Sequence, residues 1–183
     1  MGLFGFGGKK EKPATASAND KISFSGASDA VSAKCILTAG IRGVEMDINL
    51  SGDSASLSHG PVSAKGESAI VTYFDKKGTG QSLRPKKARI LGEQNYWMDV
   101  AYQYLDKGEK VNEVLTSLNN ILGNQEFVAG QLSLADPVVA GSVMTLKKAG
   151  NLPSGLSNVE SWLGRVEEKI PANLRSNYMS QLG

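Results

Sequence analysis

One cysteine and one histidine in 183 residues leave no material for a disulfide framework, nor for a zinc site built from those ligands. Cysteine this scarce fits a reducing compartment, and a cytoplasmic setting is expected. No apolar run approaches the roughly 18 residues that cross a bilayer, so no transmembrane segment is expected. A formal charge of +2 is too small to make nucleic acid the default partner. Phosphate-binding loops, dinucleotide fingerprints and paired catalytic carboxylates are all missing. Met1-Gly2 would suit acylation, but Phe6 stands where that motif needs Ser or Thr.

What is present has the apolar and charged content of an ordinary globular chain. Residues 1–20 read either as a Gly, Ala and Lys-rich flexible tail or as a docking element. In the second reading Leu3, Phe4 and Phe6, followed by Lys9, Lys10 and Lys12, meet a partner or an acidic surface. Residues 21–26 alternate apolar and polar, the period of a half-buried strand. Ser28 and Asp29 can cap a helix whose core face is Val31, Cys35, Ile36 and Ala39, ended by Gly40. A second alternating strand places Val44, Met46 and Ile48 on one face, completing a βαβ unit with parallel strands. After a Ser and Gly-rich stretch with at most a short strand at Ser56 to Ser58, residues 67–74 read as a helix presenting Ile70, Val71 and Phe74.

Residues 77–85 form a linker, and 86–183 are helical. The first helix there stacks Leu91, Met98 and Leu105, with Trp97, Ala101 and Tyr102 widening the stripe. Val111, Val114, Leu115, Leu118, Ile121 and Leu122 mark the second, and Val138, Val139, Val143 and Leu146 the third. Val159, Trp162, Leu163, Val166 and Ile170 mark a fourth, closed by Pro171. The expected architecture is an abbreviated α/β half (residues 21–76) followed by an all-α bundle.

Two segments carry a family resemblance. Residues 127–136, Phe-Val-Ala-Gly-Gln-Leu-Ser-Leu-Ala-Asp, resemble the helical-domain signature of the glutathione transferase superfamily. Ser133 can accept from the amide of Asp136 while the Asp136 carboxylate reaches back to the Ser133 amide, a capping box that starts a buried helix. Pro137 departs from the pattern and is expected to lose the first intrahelical bond. Residues 66–70, Gly-Glu-Ser-Ala-Ile, resemble the motif of the thioredoxin-like half, in which Glu67 and Ser68 would hold the γ-glutamyl end of glutathione at a helix N-terminus. Leu83, Pro85 and Asn158-Val159-x-x-Trp162 also resemble the family, so the likeness covers about residues 21–172.

The resemblance implies a Tyr, Ser or Cys just after the first strand. Ser25 and Ser28 are the candidates there, yet counting back from Gly40 sets Gly26 at that place. The family also opens a hairpin with a cis-proline. Pro61 stands only six residues before Glu67, so we expect the hairpin to be missing or vestigial. Cys35 reads as a buried structural thiol and His59 as a solvated loop residue. No cofactor is assigned beyond weak glutathione binding, and no metal. The favoured expectation is a non-catalytic interaction module or accessory subunit. Such a module resembles the transferase-like domains of translation elongation factor 1 gamma and of aminoacyl-tRNA synthetase complexes. The alternative is a glutathione transferase, conjugating glutathione or reducing peroxides, that uses Ser25 or Ser28. The basic run Arg84, Lys86, Lys87 and Arg89 would suit an acidic surface or RNA.

Overall fold

A computed structural model describes residues 21–183; the docking candidates Leu3, Phe4 and Phe6 lie outside the described residues. The chain opens with β1 (Ser23–Ser25), crosses through α1 (Ala30–Ile41), and returns as β2 (Asp47–Asn49) parallel to β1. Asp29 caps α1 by accepting the Ser32 amide at 2.8 Å. The helix does not stop at Gly40. Gly40 lies inside it, its missing side chain leaving room for Tyr178 and Ile170, and the turn away comes at Gly43 with φ 65°.

The hairpin is present, contrary to the expectation from Pro61. Strand β3 (Ser56–His59) precedes the proline and β4 (Val62–Lys65) follows it, antiparallel, with His59 opposite Val62. Gly60 and Pro61 are therefore the turn itself. Gly60 takes φ 55°, as the first central position of a two-residue hairpin requires. Counting both strands after Pro61 was the error. No cis peptide occurs among the described residues.

The sheet order is β2-β1-β3-β4. Its register aligns Phe24 with Ile48 and Leu57, and Leu57 with Ala64, making one apolar row that faces the core. The rows on either side, Ser23-Asp47-Ser58-Ser63 and Ser25-Asn49-Ser56-Lys65, point the other way and are half-buried or exposed. One face of the sheet is thus packed and the other is serine-paved and wet.

Helix α2 (Glu67–Lys77) follows and buries Ile70, Val71 and Phe74. Its end is tied to the linker by Asp75, which accepts the Leu83 amide at 3.0 Å and pairs with buried Arg42 and with Arg84. Helix α3 (Ala88–Val100) runs on through a π-helical turn at Ala101–Leu105. Its buried stripe is Ile90, Gln94, Trp97, Val100 and Ala101, so the face is rotated from the one expected: Leu91 is exposed and Met98 half-buried. The seven-residue spacing misled because Gln94, a polar residue, occupies the core side and accepts the Leu134 amide.

Helices α4 (Val111–Leu122), α5 (Ala135–Lys148) and α6 (Ser157–Glu168) stand where the periodicity put them. Beyond Pro171 a fifth bundle helix, α7 (Ala172–Leu182), was not anticipated. Its Leu174, Tyr178 and Leu182 are buried at four-residue steps, and the Tyr178 hydroxyl donates to the Val44 carbonyl. Burial pushes that hydroxyl up to about 12. Pro137 costs α5 nothing, since it sits in the first turn, where amides have no intrahelical partner.

The halves meet along α1 and α5. Every residue from Ser32 to Ile41 is buried, so α1 is enclosed on all sides. At Gly141 a Cβ would lie 2.7 Å from the backbone nitrogen of Lys34 and from its Cγ. Gly141→Ala should therefore lower stability by about 2 kcal/mol even though alanine favours a helix. Gly164→Ala, where a Cβ meets nothing within 4 Å, should raise it slightly. Equal melting midpoints for the two variants would mean that α1 and α5 are not in contact there.

Candidate functional site

The place just after β1 belongs to Gly26. Its amide donates to Asn49 O at 3.0 Å, its carbonyl accepts from Gly52 at 3.1 Å, and a side chain there would collide with Ser32 Oγ and the Phe24 ring. Ser32 Oγ, in the first turn of α1, is the one buried side-chain oxygen without a partner among the described residues. Of the two candidate serines, Ser25 belongs to β1 on the wet face, its hydroxyl against the loop at Gly52. Ser28 is exposed and accepts from Lys148 Nζ at 3.4 Å. They are not brought together with Glu67 by any hydrogen bond. Cys35 is fully buried, and burial raises its thiol pKa well above the ordinary range. His59 is not a free loop residue: it ends β3 half-buried, its Nδ1 against the Tyr73 hydroxyl.

Glu67 opens α2, as the family motif has it, but its carboxylate is turned inward. Oε2 lies 3.4 Å from the ammonium of Lys34, and the Tyr102 hydroxyl donates to Oε1. Lys34 is completely buried on α1 and also pairs with Asp106, while its Nζ stands 4.4 Å from the centroid of the Tyr102 ring. Asp106 in turn accepts from Ser142 on α5. Burial raises the Glu67 carboxyl, with the Lys34 charge and the Tyr102 hydroxyl opposing it. Burial and the Glu67 carboxylate together push the Tyr102 hydroxyl far up. Ser68 is exposed beside this cluster.

Sequence reading missed Lys34, Tyr102 and Asp106. A signal for Lys34 existed: it sits at the middle of a helix otherwise almost without charge, Val-Ser-Ala-Lys-Cys-Ile-Leu. A lone lysine there needs an anion. Removing it leaves Glu67 and Asp106 facing each other without a cation, so Lys34→Met should cost about 3 kcal/mol or more. Adding Glu67→Gln to that variant should restore part of the loss; urea unfolding checks both. No recovery in the double variant would show that Glu67 and Lys34 are not coupled.

A second buried carboxylate starts α5. Asp136 accepts from the amides of Ser133 (2.8 Å) and Val128 (3.0 Å), the indole of Trp162 (3.0 Å) and the Ser133 hydroxyl (3.3 Å). The reach back to the Ser133 amide is as expected. The other half of the capping box differs: the Ser133 hydroxyl donates to the carboxylate, and the Asp136 amide goes to the Ser133 carbonyl. Asp136 therefore ties three segments rather than one turn. Burial pushes its carboxyl up to about 6 against the pull of those four donors. In the unfolded chain it titrates near 3.8, so its contribution is greatest below that value and is lost as pH rises through 6. The stability of wild type over Asp136→Asn should thus grow by about 2 kcal/mol between pH 7 and pH 4.5. A gap that narrows on acidification would refute the direction of the shift.

Of the basic run, Arg84 pairs with Asp75 at 2.9 Å and Arg89 with Glu93, while Lys86 and Lys87 are exposed and outside every ion pair among the described residues. No helix among the described residues is long and apolar enough to cross a membrane, and none of their acidic, His or Cys side chains cluster as metal ligands.

A thioredoxin-like sheet with α1 and α2, docked through α1 on a helical bundle whose third helix starts at a buried Ser-x-x-Asp, defines a class. It is the fold of the glutathione S-transferase superfamily. Glutathione S-transferase D6 of Drosophila melanogaster is 30% identical over 125 residues, covering 56% of this chain and 58% of that protein. The chain thus aligns with little more than half the length of this curated relative. No family model matches. Among solved structures, FzlA from C. crescentus superposes with a TM-score of 0.70 at 14% identity, covering 86% of this chain and 99% of that one. A delta-class glutathione transferase of Nilaparvata lugens gives 0.65 at 20%, covering 88% and 98%. The theta-class enzyme of Xanthomonas axonopodis pv. citri with glutathione bound gives 0.65 at 14%, covering 89% and 97%. At these identities the structures establish the fold alone.

Proposed function

We propose that this chain is a non-catalytic transferase-fold module that assembles with protein partners, as a scaffold or an accessory subunit. The observation that carries the reading is Gly26. The position that the family resemblance gives to a thiol-activating side chain holds none, and Ser32 Oγ and the Phe24 ring fill the space one would need. Glu67 supports it: the carboxylate that would hold the γ-glutamyl end is engaged by Lys34 and Tyr102. The residues present do not fit glutathione as the family holds it. An electrophile acceptor would meet neither an activating hydroxyl at Gly26 nor a free carboxylate at Glu67.

The exposed amides at the start of α2 still offer a helix N-terminus, worth about 1 to 2 kcal/mol to a ligand carboxylate. Binding must offset its ordering cost with that end alone. We therefore expect glutathione to bind no better than about millimolar, with no measurable conjugation of a generic electrophile. Calorimetry with reduced glutathione and a conjugation assay measure both. Micromolar affinity, or turnover abolished by Ser25→Ala or Ser28→Ala, would make the chain an enzyme and end this reading.

A further inference from the structure

One end of the protein gathers cations around an exposed apolar tip. Helix α2 starts where β4 ends and finishes back near the hairpin turn, with Lys76 and Lys77 exposed in its last turn. Lys77 lines a cleft of about 630 Å³ with Lys21, His59 and Thr79, so the chain enters β1 at this same end. His59 stands opposite Val62 across the Gly60-Pro61 turn. Val62 is 41% exposed, one of three large apolar side chains so exposed among the described residues. Arg84 bonds Asp75 and Thr72, holding the linker against the last turns of α2, and Lys86 and Lys87 follow two and three residues on. The N-terminus of α3 adds a positive pole there, with no side-chain acceptor at its cap and no acid in its first turn. Acidic side chains do not cancel this charge. Asp47 is taken by Lys21 at 2.7 Å, Asp75 is buried against Arg42 and Glu93 is held by Arg89, which leaves Glu45 on the cleft. Lys76, Lys77, Lys86 and Lys87 join no ion pair among the described residues. The whole chain carries only +2, so these lysines make one end much more positive than the rest.

The segment that joins this end at Lys21 carries the same two kinds of residue: Leu3, Phe4 and Phe6, then Lys9, Lys10 and Lys12. Fifteen residues separate Phe6 from Lys21, a reach of up to about 50 Å, enough to meet any plane that the lysines touch. We propose that this end docks on the surface of an anionic phospholipid membrane. Val62 and the Leu3, Phe4 and Phe6 group enter the interface, and the lysines meet the headgroups. An apolar anchor alone holds a bilayer weakly, as does a basic patch alone; the two together hold it stably. A bilayer also accepts charge and apolar groups at any lateral spacing, whereas a folded protein partner has to match both. A nucleic acid is disfavoured by what the patch lacks, since its exposed residues include no Phe, Tyr or Trp for a base to stack on. The surface lies at the opposite ends of β1 and α2 from Gly26 and Glu67, so it does not depend on whether glutathione binds.

The test is sedimentation of the full chain with vesicles of phosphatidylcholine alone or with about 30% phosphatidylserine. The anionic vesicles should bind about tenfold more tightly, and about 0.5 M salt should abolish that difference. Lys76→Gln, Lys77→Gln, Lys86→Gln and Lys87→Gln together should weaken binding about tenfold and flatten its salt dependence. The melting midpoint should not change, since none of the four holds an ion pair. Leu3→Ser with Phe4→Ser and Phe6→Ser should weaken binding about tenfold, and Val62→Ser about threefold. Lys147→Gln with Lys148→Gln, on α5, should leave it as in wild type. Four results would each overturn the proposal: no sedimentation with the anionic vesicles; equal binding to both vesicles; binding that survives both the lysine and the tail variants; or full displacement from the vesicles by oligouridine or polyglutamate at equal charge. Conjugation activity alongside intact vesicle binding would remove the module reading and leave the docking surface standing. Inactivity with no vesicle binding would do the reverse.

Discussion

Gly141 lies against the backbone of Lys34, and that approach of α5 to α1 places a cation in the middle of the molecule. Burying an isolated ammonium costs several kcal/mol even after relaxation, so anions have to gather around it. Asp106 comes from the turn after α3, Glu67 from the start of α2, and Tyr102 turns its ring to the charge. Both halves of the protein thus contribute to neutralising one side chain. The consequence for chemistry follows from magnitudes. A carboxylate of a ligand at the α2 N-terminus gains about 1 to 2 kcal/mol, while withdrawing Glu67 from Lys34 exposes a larger penalty. Glu67 stays in the lock.

The sheet follows a similar economy of cover. Only the row of Phe24, Ile48, Leu57 and Ala64 is apolar, and it faces the helices. The flanking rows are mostly serine with Asn, Asp and Lys, so the second face is compatible with water and needs no layer over it. That explains how β2 passes to β3 through a short connection at residues 50–55 with no helix between them. It also explains why the Ser and Gly-rich stretch looked structureless: with small polar residues on one side and single apolar residues on the other, strands of four residues leave a faint pattern.

Legibility in the sequence tracked how local each signal was. Helices α4, α5 and α6 stood out because their apolar residues recur at helical spacing and Gly123, Gly150 and Pro171 follow their ends. The parallel β1-α1-β2 unit, buried Cys35 and the buried start of α5 were legible for the same reason. The hairpin was misread because a proline was assigned to a strand start when its neighbour Gly60 marks a turn. The face of α3 was misread because Gln94 is polar yet buried, an exchange decided by the Leu134 amide forty residues away. Glu67 was found as a residue and missed as a role. Nothing within its own segment says that Lys34 and Tyr102 will claim it.

Those long-range partnerships also limit where function can reside. Asp136, Lys34, Glu67, Asp75 and Arg42 each answer a buried group on another segment, and a side chain so committed is not free to bind and release a ligand. The serines of the open sheet face and the loop at Ser28 carry no base or oriented acid among their hydrogen-bond partners. What remains uncommitted is charge and apolar surface on the outside, and on α3 the two occur together. Lys86 and Lys87 join no ion pair among the described residues, Leu91 and Tyr96 are exposed although the Tyr96 ring packs edge-on against Trp97, and a Cβ at Gly92 would meet nothing within 4 Å. The buried charges of the described residues answer one another, with Ser32 Oγ alone left without a partner, so uncommitted polar and apolar groups are found chiefly on the surface.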